Sequence, residues 1–165
     1  MAYLMDANVF IMAKNLHYGM DFCPAFWEWL IRTHQAGRVF SIEKVGDEIR
    51  AGDDDLAKWA AQRDAGFFLS PGADALAALG TVSTWVTGQK VYSPAAKNTF
   101  LQIADFYLVA QALAGGHVVV THETPKNSVN IIKIPNVCLG VKVKFMSPFE
   151  MLRIERARFV LELPR

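Results

Sequence analysis

The chain has 165 residues, of which 52% are apolar, and its 17 basic and 16 acidic residues leave a formal charge of +1. This composition excludes intrinsic disorder and predicts a single domain over residues 1–165 with a substantial buried core. The near-neutral charge excludes binding of a polyanion through the field of the whole molecule, so such a partner would need a local basic patch.

The first half of the chain alternates between strand and helix patterns. Residues 2–11 are apolar on both alternating faces, which is typical of a central strand in a parallel sheet. We predict a helix over residues 22–36, a strand over 38–42 and a helix over 43–50. The acidic triplet at 53–55 predicts a cap for the helix that follows it.

The second half continues the alternation, and together the two halves predict an α/β fold with a mostly parallel central sheet flanked by helices. We expect helices over 73–88 and 101–114, the latter closed by two glycines, and a strand over 117–121. Shorter elements are predicted as strands at 66–72, 133–134 and 141–145, and as a helix with a final strand in the tail, 148–165.

Cysteine use and hydropathy favour a reducing compartment. Cys23 and Cys138 are distant in sequence, with no second thiol or paired histidine near either, which excludes the usual zinc spacings and a disulfide framework. Asp6 interrupts the apolar run at the N-terminus, and no apolar stretch approaches the roughly 20 residues that span a bilayer. We therefore expect a soluble, cytoplasmic protein without membrane association, in which Cys138 is a buried apolar residue.

Two acidic residues occupy apolar surroundings. Asp6 lies near the end of the first predicted strand, and an ionised carboxylate among apolar neighbours is unfavourable unless it has a partner. Asn8 would project to the same side under a period of two. Asp105 projects from the apolar face of the helix predicted over 101–114. Alternatively, that helix begins near Ala104, which places Asp105 in a first turn where the helix dipole favours an acid.

Two further acids lie close to the same edge of the predicted sheet. Glu48 borders the apolar stripe of the helix over 43–50, and Glu123 follows the strand over 117–121, where Thr121 could hydrogen-bond it. Taken singly, each acid is better explained by an ordinary structural role, namely a solvated helix face for Glu48 and a turn for Glu123. If the four acids converge at the carboxyl ends of parallel strands, their repulsion predicts Mg²⁺ or Mn²⁺ and phosphodiester hydrolysis.

Four motifs in the chain resemble those of one family. They are DANVFI at 6–11, VGDE at 45–48, ADFYLVAQA at 104–112 and VVTHE at 119–123. In this order they resemble PIN domains, including VapC-type toxin ribonucleases, and in particular a subgroup with these motifs. The likeness covers nearly the whole chain and implies a PIN-like three-layer fold.

The resemblance implies a metal-dependent endoribonuclease that acts as the toxin of a toxin–antitoxin pair. Its partners would be RNA, a cognate antitoxin and a second copy of the chain in a homodimer. The family's Mg²⁺ or Mn²⁺ ligands correspond to Asp6, Glu48, Asp105 and Glu123, with Asn8 and Thr121 as supporting polar groups. Glu123 stands where Asp is frequent, so its direct role as a ligand stays open. The alternative function is a catalytically silent PIN-like interaction module, which metal titration would distinguish.

Basic residues near the acids are candidates for RNA binding, since phosphate contacts position nucleic acid on a protein. An ordinary surface role explains each of them singly. The candidates are Lys14, Arg50, Lys97 and Lys126. We assign Trp27, Trp29 and Trp59 to the core and interpret His122 as a surface histidine rather than a general base.

Overall fold

The computed structural model describes residues 1–164, which form an α/β fold around a five-stranded sheet. The strands are β1 (Tyr3–Met5), β2 (Val39–Ile42), β3 (Phe68–Leu69), β4 (Val118–Val120) and β5 (Phe145–Met146). Their order is β3-β2-β1-β4-β5, and every neighbouring pair is parallel. Tyr3 lies opposite both Val39 and Val118, so β1 is the central strand, as the sequence predicts.

Helices flank this sheet, which confirms the predicted fold class. Within residues 1–164 they are α1 (Ala7–Met12), α2 (Pro24–Gln35), α3 (Glu43–Arg50), α4 (Asp55–Ala61), α5 (Ala73–Gly88), α6 (Pro94–Phe100), α7 (Ala104–Gly115), α8 (Ile134–Val141) and α9 (Pro148–Ile154). One π-helical turn, Ala13–His17, continues α1. α2 packs on β2, and α7 packs on β2 and β4. Every residue of β1 and β4 is buried, because helices exclude water from a parallel sheet.

Several elements occur where their local signals place them. α3 and α5 have the predicted bounds, and β2 lies within its predicted range. The acidic triplet supplies the expected cap, since the Asp54 carboxylate accepts a hydrogen bond from the N–H of Ala57. These elements have strong stop or start signals next to them, which is why the sequence is informative there.

The strand predicted over residues 2–11 is wrong in its second half. β1 ends at Met5, and Asp6, with φ −69° and ψ 152°, is the extended residue that precedes α1. α1 buries Ala7, Val9 and Phe10, so its composition resembles that of a buried strand. Periodicity cannot separate a short buried helix from a strand, and the period-two argument for Asn8 therefore fails.

The helix predicted over residues 101–114 begins later than expected. α7 starts at Ala104 after an extended Ile103, so Asp105 lies in the first turn, as the alternative prediction holds. The preceding residues form α6, which was not predicted. Ser93 caps α6 by accepting from the N–H of Ala96, and Pro94 occupies its first turn. Ser-Pro is a usable start signal for a helix.

Three predictions near the C-terminus are also wrong or misplaced. Residues 133–134 do not form a strand, because Ile134 begins α8 with a proline in its first turn. The strand predicted over 141–145 is instead β5, Phe145–Met146, which α8 displaces toward the C-terminus. The tail contains α9, but residues 155–164 form no strand. Within residues 1–164, no strand of the sheet pairs with this segment.

The core contains most of the aromatic residues, as expected. Trp27 and Trp59 are buried with their ring centroids 5.1 Å apart in an edge-to-face arrangement, and Trp29 is half-buried against the same cluster. Cys138 is fully buried, and burial raises the pKa of its thiol to about 12, so it behaves as an apolar side chain. No helix within residues 1–164 has both the length and the hydropathy to cross a bilayer.

Candidate active site

The ends of the two central strands bring Asp6 and Thr121 together. Asp6 directly follows β1, and its N–H donates to the carbonyl of Val120 at 2.9 Å. Thr121 directly follows β4, and its hydroxyl donates to Asp6 Oδ2 at 2.8 Å. Because the strands are parallel neighbours, both side chains leave the sheet at its carboxyl edge. Both are buried, so this hydrogen bond fixes the orientation of the Asp6 carboxylate.

Asn8 reaches the same edge from the first turn of α1. Its Nδ2 lies 3.4 Å from Thr121 Oγ1, and its Oδ1 accepts from the N–H of His122 at 3.3 Å. The N–H of Glu123 also donates to Thr121 Oγ1, at 3.1 Å. Asn8 and Thr121 therefore connect the end of β1 to the segment after β4, although a helix rather than a strand carries Asn8.

Glu123 is held at the start of α8. Its Oε2 accepts from the N–H of Ile134 at 2.8 Å, and its Oε1 lies 3.7 Å from Nζ of Lys133. The positive end of a helix dipole and a nearby ammonium group both favour a carboxylate. Lys133 is absent from the predicted basic residues, because the loop between it and Glu123 folds back and hides their proximity along the chain.

Asp105 and Glu48 face one another across a second part of the edge. Asp105 lies in the first turn of α7 and Glu48 on α3, and both line a cleft of about 380 Å³. Lys44, on the same wall, lies 4.3 Å above the ring of Tyr107 and is another basic residue that the sequence does not single out. The cleft thus opens between α3, which follows β2, and α7, which precedes β4.

The four predicted acids act on one another electrostatically. Burial, and then the negative charges of Asp6, Glu123 and Glu48, raise the pKa of Asp105 to about 7. Lys133 opposes this increase. Because the charges of three other carboxylates raise the pKa of Asp105, all four acids lie near one another at one edge of the molecule.

Asp6 is similarly perturbed. It is only 5% exposed, and burial is the main reason that its pKa rises to about 6. The charges of Glu123 and Glu48 raise it further, while the hydrogen bond from Thr121 lowers it. Strongly perturbed carboxyl groups are typical of functional sites, because desolvation and repulsion between like charges lower the stability of the fold.

The donor set agrees in chemistry with a hard divalent cation. Carboxylate, amide and hydroxyl oxygens are the ligands that Mg²⁺ and Mn²⁺ prefer. In the present side-chain conformations, no three His, Cys, Asp or Glu residues among 1–164 are grouped closely enough to hold one ion. Mg²⁺ often takes only one or two carboxylates and keeps several waters, so these residues fit a hydrated dication rather than an all-protein cage.

The predicted basic residues separate into two groups. Lys126 is exposed and lines a cleft of about 360 Å³ together with Asn8, Glu123 and Lys133. The other three contact neighbours of their own and line neither cleft. These contacts are Lys14 to Asp54 at 3.1 Å, Arg50 to Asp47 at 3.0 Å and Lys97 to the carbonyl of Thr87 at 3.0 Å.

A fully parallel sheet of this order with helices packed against it defines an α/β protein. The chain belongs to the family described as Domain of unknown function (DUF4411), whose model matches residues 3–159. Among solved structures it is similar to a chain of VapBC2 from Rickettsia felis bound to a DNA fragment from their promoter, with 13% identity and a TM-score of 0.52. The match covers 89% of this chain and 98% of that chain. A search of curated proteins found no match. The structural likeness confirms the predicted PIN-like fold.

Proposed function

We propose that this protein is a metal-dependent endoribonuclease and the toxin of a toxin–antitoxin pair. The observation that carries the proposal is the convergence of Asp6 and Asp105, whose pKa values are raised by burial and by the charges of Glu48 and Glu123, at the carboxyl edge of the sheet. The likeness to the VapBC2 chain supports the same class of protein through its fold. A cytoplasmic location would follow from an RNA substrate.

Each acid has a distinct role in this proposal. Asp6 and Asp105, the most perturbed pair, would hold Mg²⁺ or Mn²⁺, with Glu48 and Glu123 completing the negative site. A dication at this edge would lower the pKa of a water molecule and stabilise charge on the phosphate. Thr121 holds Asp6 in place, as residues behind a metal ligand commonly do.

Asn8 and Glu123 position the segment after β4. Asn8 accepts from the N–H of His122, while Glu123 bridges this segment to the start of α8. Because Glu123 is already bonded to Ile134 and near Lys133, we propose that it orients Lys133 as well as contributing charge. Removing Glu123 would release both neighbours at once.

Lys126 and Lys133 are the basic residues best placed to contact RNA phosphates, since both line the cleft beside Glu123. Phosphate contacts would fix the register of the RNA without reading its sequence. The solved structure with a similar fold is VapBC2 bound to a DNA fragment from their promoter. By analogy, we propose that a cognate antitoxin covers the cleft of this protein, and that the toxin forms a homodimer.

RNA cleavage tests this proposal directly. Purified protein is incubated with end-labelled RNA in Mg²⁺, Mn²⁺ or EDTA, and the products are resolved by gel electrophoresis. We expect internal cleavage with either metal, none in EDTA, and none by Asp6→Asn protein. Asp54→Asn, which changes a helix cap outside both clefts, is the matched control and should cleave normally. Neither cleavage nor metal binding by the wild type would favour the silent interaction module.

A further inference from the structure

The four histidines of the chain divide into two kinds. The ring of His34 bonds Asp64 at 3.0 Å, and the ring of His117 accepts from a backbone N–H at 3.2 Å. Within residues 1–164, the ring nitrogens of His17 and His122 have no hydrogen-bond partner. The first two histidines stabilise the fold, whereas the other two lack that explanation.

His17 and His122 lie together with Phe149 in what we call the aromatic shelf. Their ring centroids are 5.5 Å apart for the two histidines, 5.2 Å for His17 and Phe149, and 5.5 Å for His122 and Phe149. The three residues come from separate segments: the π-helical turn after α1, the segment after β4 and the first turn of α9. Their contact is therefore a product of the tertiary fold.

The aromatic shelf adjoins the proposed active site. His122 stands between Thr121 and Glu123, and its N–H donates to Asn8 Oδ1. It also lines the cleft that contains Lys126. A chain of phosphates that contacts the lysines of this cleft would thus pass beside the shelf.

The shelf remains accessible to a ligand. His17 is exposed, and His122 and Phe149 are only half-buried, so the fold has not enclosed these rings. Flat aromatic faces stack on nucleobases, and such stacking tolerates any base because every base has a π-face. In a duplex the bases already stack on one another and do not reach such a surface.

We propose that the aromatic shelf is a subsite that stacks against one unpaired nucleobase of the RNA. This inference rests on the proposed function for its substrate class. The lysines of the adjoining cleft favour a nucleic acid over an apolar peptide as the occupant, because the phosphates that accompany a base need nearby cations. His17 supplies the exposed stacking face, while His122 and Phe149 support it from behind.

Binding of a fluorescent RNA tests the shelf separately from hydrolysis. The probe is a short single-stranded RNA containing 2-aminopurine, whose fluorescence is quenched by stacking, titrated in EDTA so that metal-dependent cleavage is blocked. We expect His17→Ala to weaken binding about 10-fold and to abolish quenching. His17→Tyr should restore both. Asn15→Ala changes an exposed neighbour in the same turn and should bind as the wild type does.

The outcomes separate the shelf from the nuclease. If the wild type cleaves RNA but His17→Ala binds and quenches the probe normally, the shelf is overturned while the proposed function stands. Equal affinity of the wild type for the probe and for its duplex also overturns the shelf, as does a lack of binding. If the probe binds with quenching that depends on His17 but no RNA is cleaved with metal, the shelf stands and the hydrolytic function fails.

Discussion

The charged residues at the two edges of the sheet differ in whether they have partners of opposite charge. At the amino edge, Glu155 accepts from the hydroxyl of Tyr3 at 2.9 Å and lies 3.0 Å from the guanidinium of Arg38. At the carboxyl edge, Asp6 and Asp105 face further carboxylates and have raised pKa values. The amino edge pairs its charges and ties the C-terminal segment to the sheet. At the carboxyl edge, Glu123 is the only one of the four acids that forms an ion pair within residues 1–164, so the excess of negative charge is unfavourable unless a cation binds. This contrast is why we place the proposed site at the carboxyl edge.

Substitution of Asp105 should have the largest effect on activity. Asp105→Asn removes the charge of a proposed metal ligand while keeping the size of the side chain. We expect RNA cleavage to fall by more than about 100-fold, because about 100-fold is the largest loss typical of residues that only orient a ligand. Initial rates in Mn²⁺ measure the loss. Glu155→Gln alters the amino edge instead and should retain wild-type rates in folded protein. Equal losses in both variants would remove the functional distinction between the two edges.

Removal of the Lys133 ammonium should have the next largest effect. Lys133→Ala loses the cation beside Glu123 and Asp105, and we expect kcat/KM for RNA to fall about 10- to 100-fold. Lys144→Ala removes an exposed lysine near the amino edge and is the matched control. The salt dependence of KM should become weaker for Lys133→Ala alone. An unchanged kcat/KM would show that Lys133 has no part in RNA contact or positioning.

The stability of the metal-free protein should depend on pH in the direction set by the crowded acids. Aspartates titrate near 4 in an unfolded chain, whereas Asp6 and Asp105 titrate at about 6 and about 7 in the folded protein. The folded state therefore binds more protons in this window, and its free energy of unfolding falls as pH rises from about 4 to 7.

Asp105→Asn should accordingly stabilise the protein in EDTA at pH 8, by about 1–3 kcal/mol, and should give no gain near pH 4. Urea unfolding at the two pH values measures the difference. If the variant is less stable than the wild type at pH 8, then burial of the Asp105 charge near the other carboxylates does not destabilise the folded protein.

The amino edge should respond with the opposite sign and a somewhat smaller effect. Glu155→Ala leaves Arg38 and the Tyr3 hydroxyl without their partner, so we expect the free energy of unfolding to decrease by about 1–2 kcal/mol at pH 8. Glu162→Ala, in the exposed tail, is a control that should have little effect. If Glu155→Ala proves neutral, the C-terminal segment is not held to the sheet through this pair.

The sequence predicts most of the fold because the residues that start and stop its helices lie next to those helices in the chain. Gly88 marks the end of α5, and Asp54 caps α4, so these boundaries need no knowledge of distant residues. The limit of β1 at Met5 is different, since α1 is as apolar as the strand before it. Only the geometry of the sheet decides where such a run turns from strand to helix.

The candidate site follows a similar division. Asp6 and Asp105 are detectable because an acid in an apolar run is unusual, and the edge rule for parallel sheets predicts that they meet. Lys133 and the aromatic shelf are not detectable in this way, because their contacts depend on how long loops return to the edge. His17 and Phe149 carry no local signal that relates one to the other.

Titration calorimetry with Mn²⁺ at pH 7.5 tests the central claim that the acids of the carboxyl edge hold a dication. Wild-type protein should bind Mn²⁺ saturably, and both Asp6→Asn and Asp105→Asn should bind it at least about 10-fold more weakly, while Glu155→Gln should match the wild type. Absence of saturable binding to the wild type, or equal affinity in all four proteins, would contradict the account.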